Sequence, residues 1–107
     1  MIDEQTVLSR ITGISVVQLR VWVSQEWVRP ARSGATMVYN EADIARIQLL
    51  HLLGNQLGVG NEAIPIILSL IDQVHDLRGQ MQIISRVVES QPDDVRAEIL
   101  QRLRERP

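Results

Sequence analysis

The chain has 107 residues, a net charge of −2, 45% hydrophobic residues, no cysteine, no phenylalanine and only 3% aromatics. That length suits one ordinary domain, its core must come from Ile, Val and Leu, and the lack of cysteine excludes disulfides and thiolate metal ligands. No apolar run approaches the roughly 18 residues of a membrane helix, and Met1-Ile2-Asp3-Glu4 is acidic where a signal peptide would be basic, so the expectation is a soluble cytoplasmic protein.

The charge distribution says more than its total. Residues 1–60 hold five Arg and five Asp or Glu, residues 61–107 hold six Arg and eight acids, and there is no lysine. Nucleic-acid binding leaves a footprint of clustered basic residues, and the N-terminal half has none.

In chain order, Glu4 to Ile11 predicts a short helix with Val7, Leu8 and Ile11 on one face. Thr12-Gly13 ends it, glycine supplying a left-handed cap. Ser15 caps a second helix over Val16 to Gln25, with Val16, Leu19 and Val23 inside and Trp22 alongside. Two short helices around a tight glycine-containing turn make a helix-turn-helix. Pro30 stops helical structure, and Val28 to Tyr39 fits a two-stranded wing with Gly34 at its tip. Asn40 caps a third helix with Glu41 and Asp43 in its first turn and Ile44, Ile47, Leu50, Leu53 and Leu57 on its inner face. Gly58 and Gly60 break it.

Asn61 is expected to cap a fourth helix, with Glu62 and Pro65 in its first turn. Ala63, Leu70, Leu77 and Ile84 recur every seven residues, as do Ile67, Val74, Met81 and Val88. Alternating steps of four and three make a coiled-coil seam. Its first half is broadly apolar and should pack on the wing domain. Its second half carries little beyond the seam and needs a partner, most economically a second copy. Leu70, Val74, Leu77, Met81, Ile84 and Val88 are therefore the predicted dimer seam. Gln91-Pro92-Asp93-Asp94 restarts a helix whose apolar face is Val95, Ile99, Leu100 and Leu103. The expected organisation is a winged helix-turn-helix over 1–60, a long packing and dimerisation helix over 61–90, and a short helix over 91–107. The fold class is all-α with a small two-stranded β wing.

Several short motifs fall in order between Thr12 and Leu57: Thr12-Gly13-Ile14-Ser15, Leu19-Arg20, Trp27-Val28-Arg29-Pro30-Ala31-Arg32 and Tyr39-Asn40-Glu41-Ala42-Asp43-Ile44. Together they resemble the MerR family of winged helix-turn-helix DNA-binding proteins. Ile14-Ser15 through Leu19 to Val28 and Pro30, then Met37-Val38-Tyr39-Asn40-Glu41, then Ile67-Leu68-Ser69-Leu70-Ile71-Asp72 with Leu77, resemble more closely the CbpM family of chaperone modulators, which shares this fold. That resemblance covers about residues 5–88. It implies a homodimer that binds the J-domain of a DnaJ-like, CbpA-type co-chaperone and inhibits its action with Hsp70. Where the MerR pattern has Tyr-Arg before the last wing aromatic, this chain has Thr36-Met37; where it has Tyr after Leu-Arg, this chain has Val21. Both changes remove phosphate-contacting groups.

The expected J-domain contacts are acidic. Glu41 and Asp72 match acidic positions of the CbpM pattern, and Glu26 and Asp76 lie near them. The competing reading, a dimeric MerR-type transcription regulator without an effector domain, would place Arg20, Arg29 and Arg32 on DNA; any nucleic-acid binding should be weak. His51 and His75 lie on different helices without further ligands, so no metal is expected. Asp72 and Asp76 share a helix face without a nucleophile or base nearby, and no hydrolase, P-loop or dinucleotide motif is present. The chain reads as a non-enzyme without a cofactor.

Overall fold

A computed structural model of the chain describes residues 2–105. The elements are α1 (Glu4–Arg10), α2 (Val16–Ser24), β1 (Ala31–Ser33), β2 (Thr36–Val38), α3 (Glu41–Leu50) continued by a π-helical turn (His51–Gln56), α4 (Ile64–Glu89) and α5 (Asp93–Arg104). This is the mostly helical, winged architecture that the periodicities predict. The chain forms two compact units, Met1–Leu68 and Ser69–Pro107.

Local side-chain caps start the first three helices. The Thr6 amide donates to Asp3 Oδ1 at 2.7 Å, and the Gln18 amide to Ser15 Oγ at 3.1 Å. Asn40 and Asp43 close a reciprocal capping box, Asp43 N–H to Asn40 Oδ1 at 2.8 Å and Asn40 N–H to Asp43 Oδ2 at 3.0 Å. Each satisfies amides that helix geometry leaves without intrahelical partners.

The turn between α1 and α2 differs in detail from the sequence reading. The residue that ends α1 is Ile11, in extended conformation, and Gly13 follows two residues later at φ 98°. A Cβ there would stand 2.9 Å from His51 Cε1, so both conformation and space require glycine.

The wing is a tight hairpin pairing Ala31 with Val38, Arg32 with Met37 and Ser33 with Thr36. Gly34 takes φ 63° at the first central position of its two-residue turn, as a type II′ hairpin requires. Ile2 and Tyr39 add an antiparallel bridge, with Tyr39 N–H on the Ile2 carbonyl at 2.7 Å and Ile2 N–H on the Tyr39 carbonyl at 3.0 Å. The segment before α1 is thereby tied to the wing.

The core of the first unit joins Val7, Ile11, Leu19, Trp22, Val28, Tyr39, Ile44, Ile47, Leu50, Ile64 and Leu68. Trp22 is a central member, and Val16 and Val23 are only partly buried. The inner face of α2 is thus rotated from the Val16–Leu19–Val23 face expected. Leu57, expected inside, is exposed, whereas Leu53 is buried. The cause is the π-helical turn: Leu57 N–H bonds the Leu52 carbonyl, five residues back, and this wider spacing carries Leu57 off the stripe that a regular helix would continue. Helix α4 begins at Ile64, later than an Asn61 cap implies; residues 61–63 form a turn in which the Ala63 and Ile64 amides donate to the Gly60 carbonyl. Its buried residues are Ile64 and Leu68.

Helix α2 ends in a Schellman arrangement. Trp27 N–H reaches the Trp22 carbonyl and Glu26 N–H the Val23 carbonyl, both at 3.0 Å, with Glu26 at φ 62°. The left-handed residue of this motif is usually glycine. A side chain there costs about 1–2 kcal/mol, partly offset because glycine loses more backbone entropy on folding. Glu26→Gly should therefore stabilise the first unit by about 0.5–1 kcal/mol, a net of those two terms. Urea unfolding of the two proteins measures this, as a rise in midpoint with an unchanged m-value.

Candidate interaction face

In a winged helix-turn-helix the second helix and the wing present the contact face. Here that face is built from the exposed side of α2, the β1–β2 hairpin and the start of α1, which the Ile2–Tyr39 bridge holds beside the hairpin.

Arg20 projects from α2, and Glu4 engages it. Its Nε donates to Glu4 Oε2 at 3.3 Å and its terminal nitrogen to Glu4 Oε1 at 3.0 Å. This two-point hydrogen bonding raises the arginine pKa above its ordinary value, with the Glu4 charge adding to it. Three of the other four arginines of residues 1–60 also have partners within the unit. Arg10 forms a two-point pair with Glu41 at 2.9 and 3.0 Å. Arg46 Nε donates to the Trp27 carbonyl at 3.0 Å, fixing the segment that leads into the wing. Arg29 Nε donates to the Glu26 carbonyl at 3.3 Å. Arg29 and Arg32 are exposed near and on β1, beside Thr36 and Met37 on β2. Of the proposed DNA-contact set, Arg20 is thus already committed to a carboxylate.

Glu41 is exposed at the N-terminus of α3 and holds Arg10, and Glu26 is exposed in the left-handed corner after α2. Both belong to the first unit. Asp72 and Asp76 are exposed on α4 within the second. The seam residues Leu70, Val74, Leu77, Met81 and Ile84 are exposed along the same helix, Met81 at 69%, and Val88 is partly buried.

Two features of the first unit were not legible in the sequence. One is a polar chain at the helix-turn-helix corner. Gln18 Nε2 donates to Asn55 Oδ1 at 2.6 Å, and Asn55 Nδ2 lies 2.9 Å from Gln18 Oε1 and 2.8 Å from His51 Nδ1. With Asn55 donating, His51 accepts at Nδ1. His51 is therefore a structural link between the π-helical turn and α2. Among the described residues no group of three or more His, Cys, Asp or Glu is placed to hold a metal ion. The other feature is a hollow of about 690 Å³ between α1, α2 and the wing, whose walls include Glu4, Arg20, Val23, Met37 and Tyr39. No helix among the described residues is long and apolar enough to cross a membrane.

A family model described as MerR HTH family regulatory protein matches residues 6–70. The chain belongs to the MerR helix-turn-helix family. The match runs from Thr6 in α1 through α2, the wing and α3 to the first turns of α4, and contains the Thr12–Leu57 motifs. No curated protein and no solved structure matches the chain. The α2–wing face lies within the matched residues, and the arginine pairing defines its chemistry here.

The Arg10–Glu41 pair also makes a pH prediction. Hydrogen bonding to Arg10 holds the Glu41 carboxyl below the usual glutamate range, and the Arg10 charge adds to this against desolvation. A lowered folded-state pKa means that the stabilisation is present above the unfolded value of about 4.3 and is lost as pH falls through the folded value. Glu41→Gln should lower the melting temperature slightly and by a constant amount from neutral pH to about 5.5, and this difference should vanish as the pH drops well below about 4. Thermal melts of both proteins across this range check the effect, which should also weaken in high salt because the pair is exposed.

Proposed function

We propose that this MerR-family chain is a protein-binding modulator of the CbpM type, acting in the cytoplasm as a homodimer that occupies the J-domain of a DnaJ-like, CbpA-type co-chaperone and blocks its encounter with Hsp70. The observation that carries this reading is the Glu4–Arg20 pair: an arginine on the helix that a MerR-type DNA reader would use is neutralised by a carboxylate of the same unit. Support comes from the uncharged Thr36-Met37 on the wing and from the balance of five arginines by five acids over residues 1–60. A surface of that kind gives up the phosphate contacts that dominate nucleic-acid affinity.

In this reading the J-domain contacts are acidic in each unit taken by itself, Glu41 and Glu26 in the first and Asp72 and Asp76 in the second, and their charge steers association with a basic partner. The seam from Leu70 to Val88, exposed through Ile84 and partly buried at Val88, pairs with a second copy. Its area is apolar and continuous along one stripe of α4, which water solvates poorly.

Family membership favours a second reading, a dimeric DNA-binding regulator in which Arg20, Arg29 and Arg32 contact phosphates. The two separate in titration calorimetry against the J-domain encoded in the same genome. The modulator reading expects binding at micromolar concentration or tighter, slowed by salt because exposed charges are screened beyond roughly 8 Å at physiological ionic strength, with Asp72→Arg reducing the association rate more than it raises the dissociation rate. Absence of heat and of co-elution at tens of micromolar contradicts it. Sedimentation tests the dimer: the wild type should run as a dimer at micromolar concentration. Leu77→Asp should run as a monomer, since pairing would bury an uncompensated charge.

A further inference from the structure

The hollow between α1, α2 and the wing has features that the modulator reading does not use. Its walls are apolar at Val23, Met37 and the ring of Tyr39, and carry the carboxylates of Asp3 and Glu4 against the single guanidinium of Arg20. Its volume of about 690 Å³ is far more than one side chain needs, and falls within the roughly 300–1,000 Å³ of ordinary binding clefts.

Tyr39 is the distinguishing element. It is 1% exposed, yet it lines the hollow, and no described residue hydrogen-bonds its hydroxyl. Among the described residues no buried side-chain oxygen or nitrogen lacks a partner, so this hydroxyl is not sealed in the core and opens onto the hollow. Burial pushes the phenol pKa up, and the charges of Glu4 and Asp43 push it further, opposed more weakly by Arg20. Two carboxylates and one guanidinium therefore act on this tyrosine.

Glu4 has capacity for a further donor. Each of its oxygens accepts one hydrogen bond from Arg20, and a carboxylate offers about four acceptor sites in all. A second cation can therefore join the carboxylate without displacing Arg20. The aliphatic stem of such a side chain would lie along Val23 and Met37, as long basic side chains do when they cover apolar surface and keep the head group polar.

We propose that this hollow is a docking site for an arginine presented on an amphipathic helical segment of a partner protein, with Glu4 accepting from the guanidinium, the Tyr39 hydroxyl completing its hydrogen bonding, and Val23 and Met37 taking the stem and adjoining apolar residues. The inference rests on the protein-binding reading of the family fold and adds to it a site and a ligand chemistry. Arginine fits better than lysine because a planar fork of donors can meet a carboxylate and a hydroxyl together.

The test uses the full chain and a defined probe: a capped 14-residue amphipathic helical peptide with leucines and one central arginine, and its twin with citrulline, the neutral isostere, in place of that arginine. Binding is read by NMR titration of the methyl groups. The arginine peptide should perturb Val23 and Met37. The citrulline peptide should bind about tenfold more weakly, as expected for losing a charge-assisted hydrogen bond. Glu4→Gln and Tyr39→Phe, each checked for an unchanged melting profile, should weaken the arginine peptide about tenfold and about threefold respectively. Equal binding of the two peptides, perturbations confined to other surfaces, wild-type affinity in both variants, or no binding at millimolar peptide overturns the proposal. The J-domain separates it from the function it rests on. A J-domain that binds with no loss in Glu4→Gln or Tyr39→Phe ends this site and leaves the modulator reading intact. An arginine peptide that binds as described while the J-domain does not keeps the site and ends that reading.

Discussion

The two-point ion pair between Glu4 and Arg20 joins residues sixteen apart in sequence, on two helices, and the surface chemistry of the helix-turn-helix depends on it. Its position is set by backbone geometry on both sides. Asp3 caps α1 and the Ile2–Tyr39 bridge holds that cap against the wing, so Glu4 is delivered to the exposed side of α2. Leu19 and Trp22 are anchored in the core, so Arg20 between them points outward. An exposed pair of this kind contributes little to stability; Arg20 is 69% exposed. What the pair changes is the surface: it offsets one positive charge on the face that would otherwise be most attractive to a polyanion.

The same pairing recurs across the first unit. Arg10 holds Glu41 and Arg46 holds the Trp27 carbonyl, so basic side chains stitch α1 to α3 and α3 to the root of the wing. A MerR fold can in this way keep its helices, turn and hairpin while its arginines serve internal geometry. Fold alone does not fix function, and in the proposed reading it is the residues at this face that would set a protein-binding member apart from a DNA-binding one.

Elements governed by local rules were readable from the sequence. Ser15 and Asn40 cap as their types dictate, Gly34 turns the hairpin, and the apolar spacing of Ile44, Ile47 and Leu50 sets the inner face of α3. Departures occur where a contact distant in sequence, or a backbone state atypical of the residue, took over. Leu57 leaves the apolar face because the helix widens after Leu50, and no periodicity announces a π-helical turn. Glu26 occupies a glycine-like conformation because the Schellman hydrogen bonds to Trp22 and Val23 demand it. Trp22 is drawn into the core although Val16 and Val23 outline a competing face. The candidate site was legible only as a list of charges: Glu4 and Arg20 were visible, but that they meet, and that Tyr39 lies beside them with its hydroxyl facing no described partner, depends on how α1 and the wing pack.

With Arg10, Arg20 and Arg46 committed to internal partners, the chain should behave as a poor polyelectrolyte ligand. The direct measurement is the affinity of the full chain for random-sequence duplex DNA as a function of salt, by fluorescence anisotropy, together with selection for preferred sites. The slope of log K against log salt falls by about 0.9 for each phosphate neutralised. With Arg29 and Arg32 as the remaining exposed cations of the α2–wing face, the account predicts a slope of magnitude about 2 or less per protomer and no enriched palindrome, in keeping with two phosphate contacts at most. A slope of magnitude about 5 or more per protomer, with a selected inverted repeat bound at nanomolar concentration as specific DNA complexes are, would contradict it.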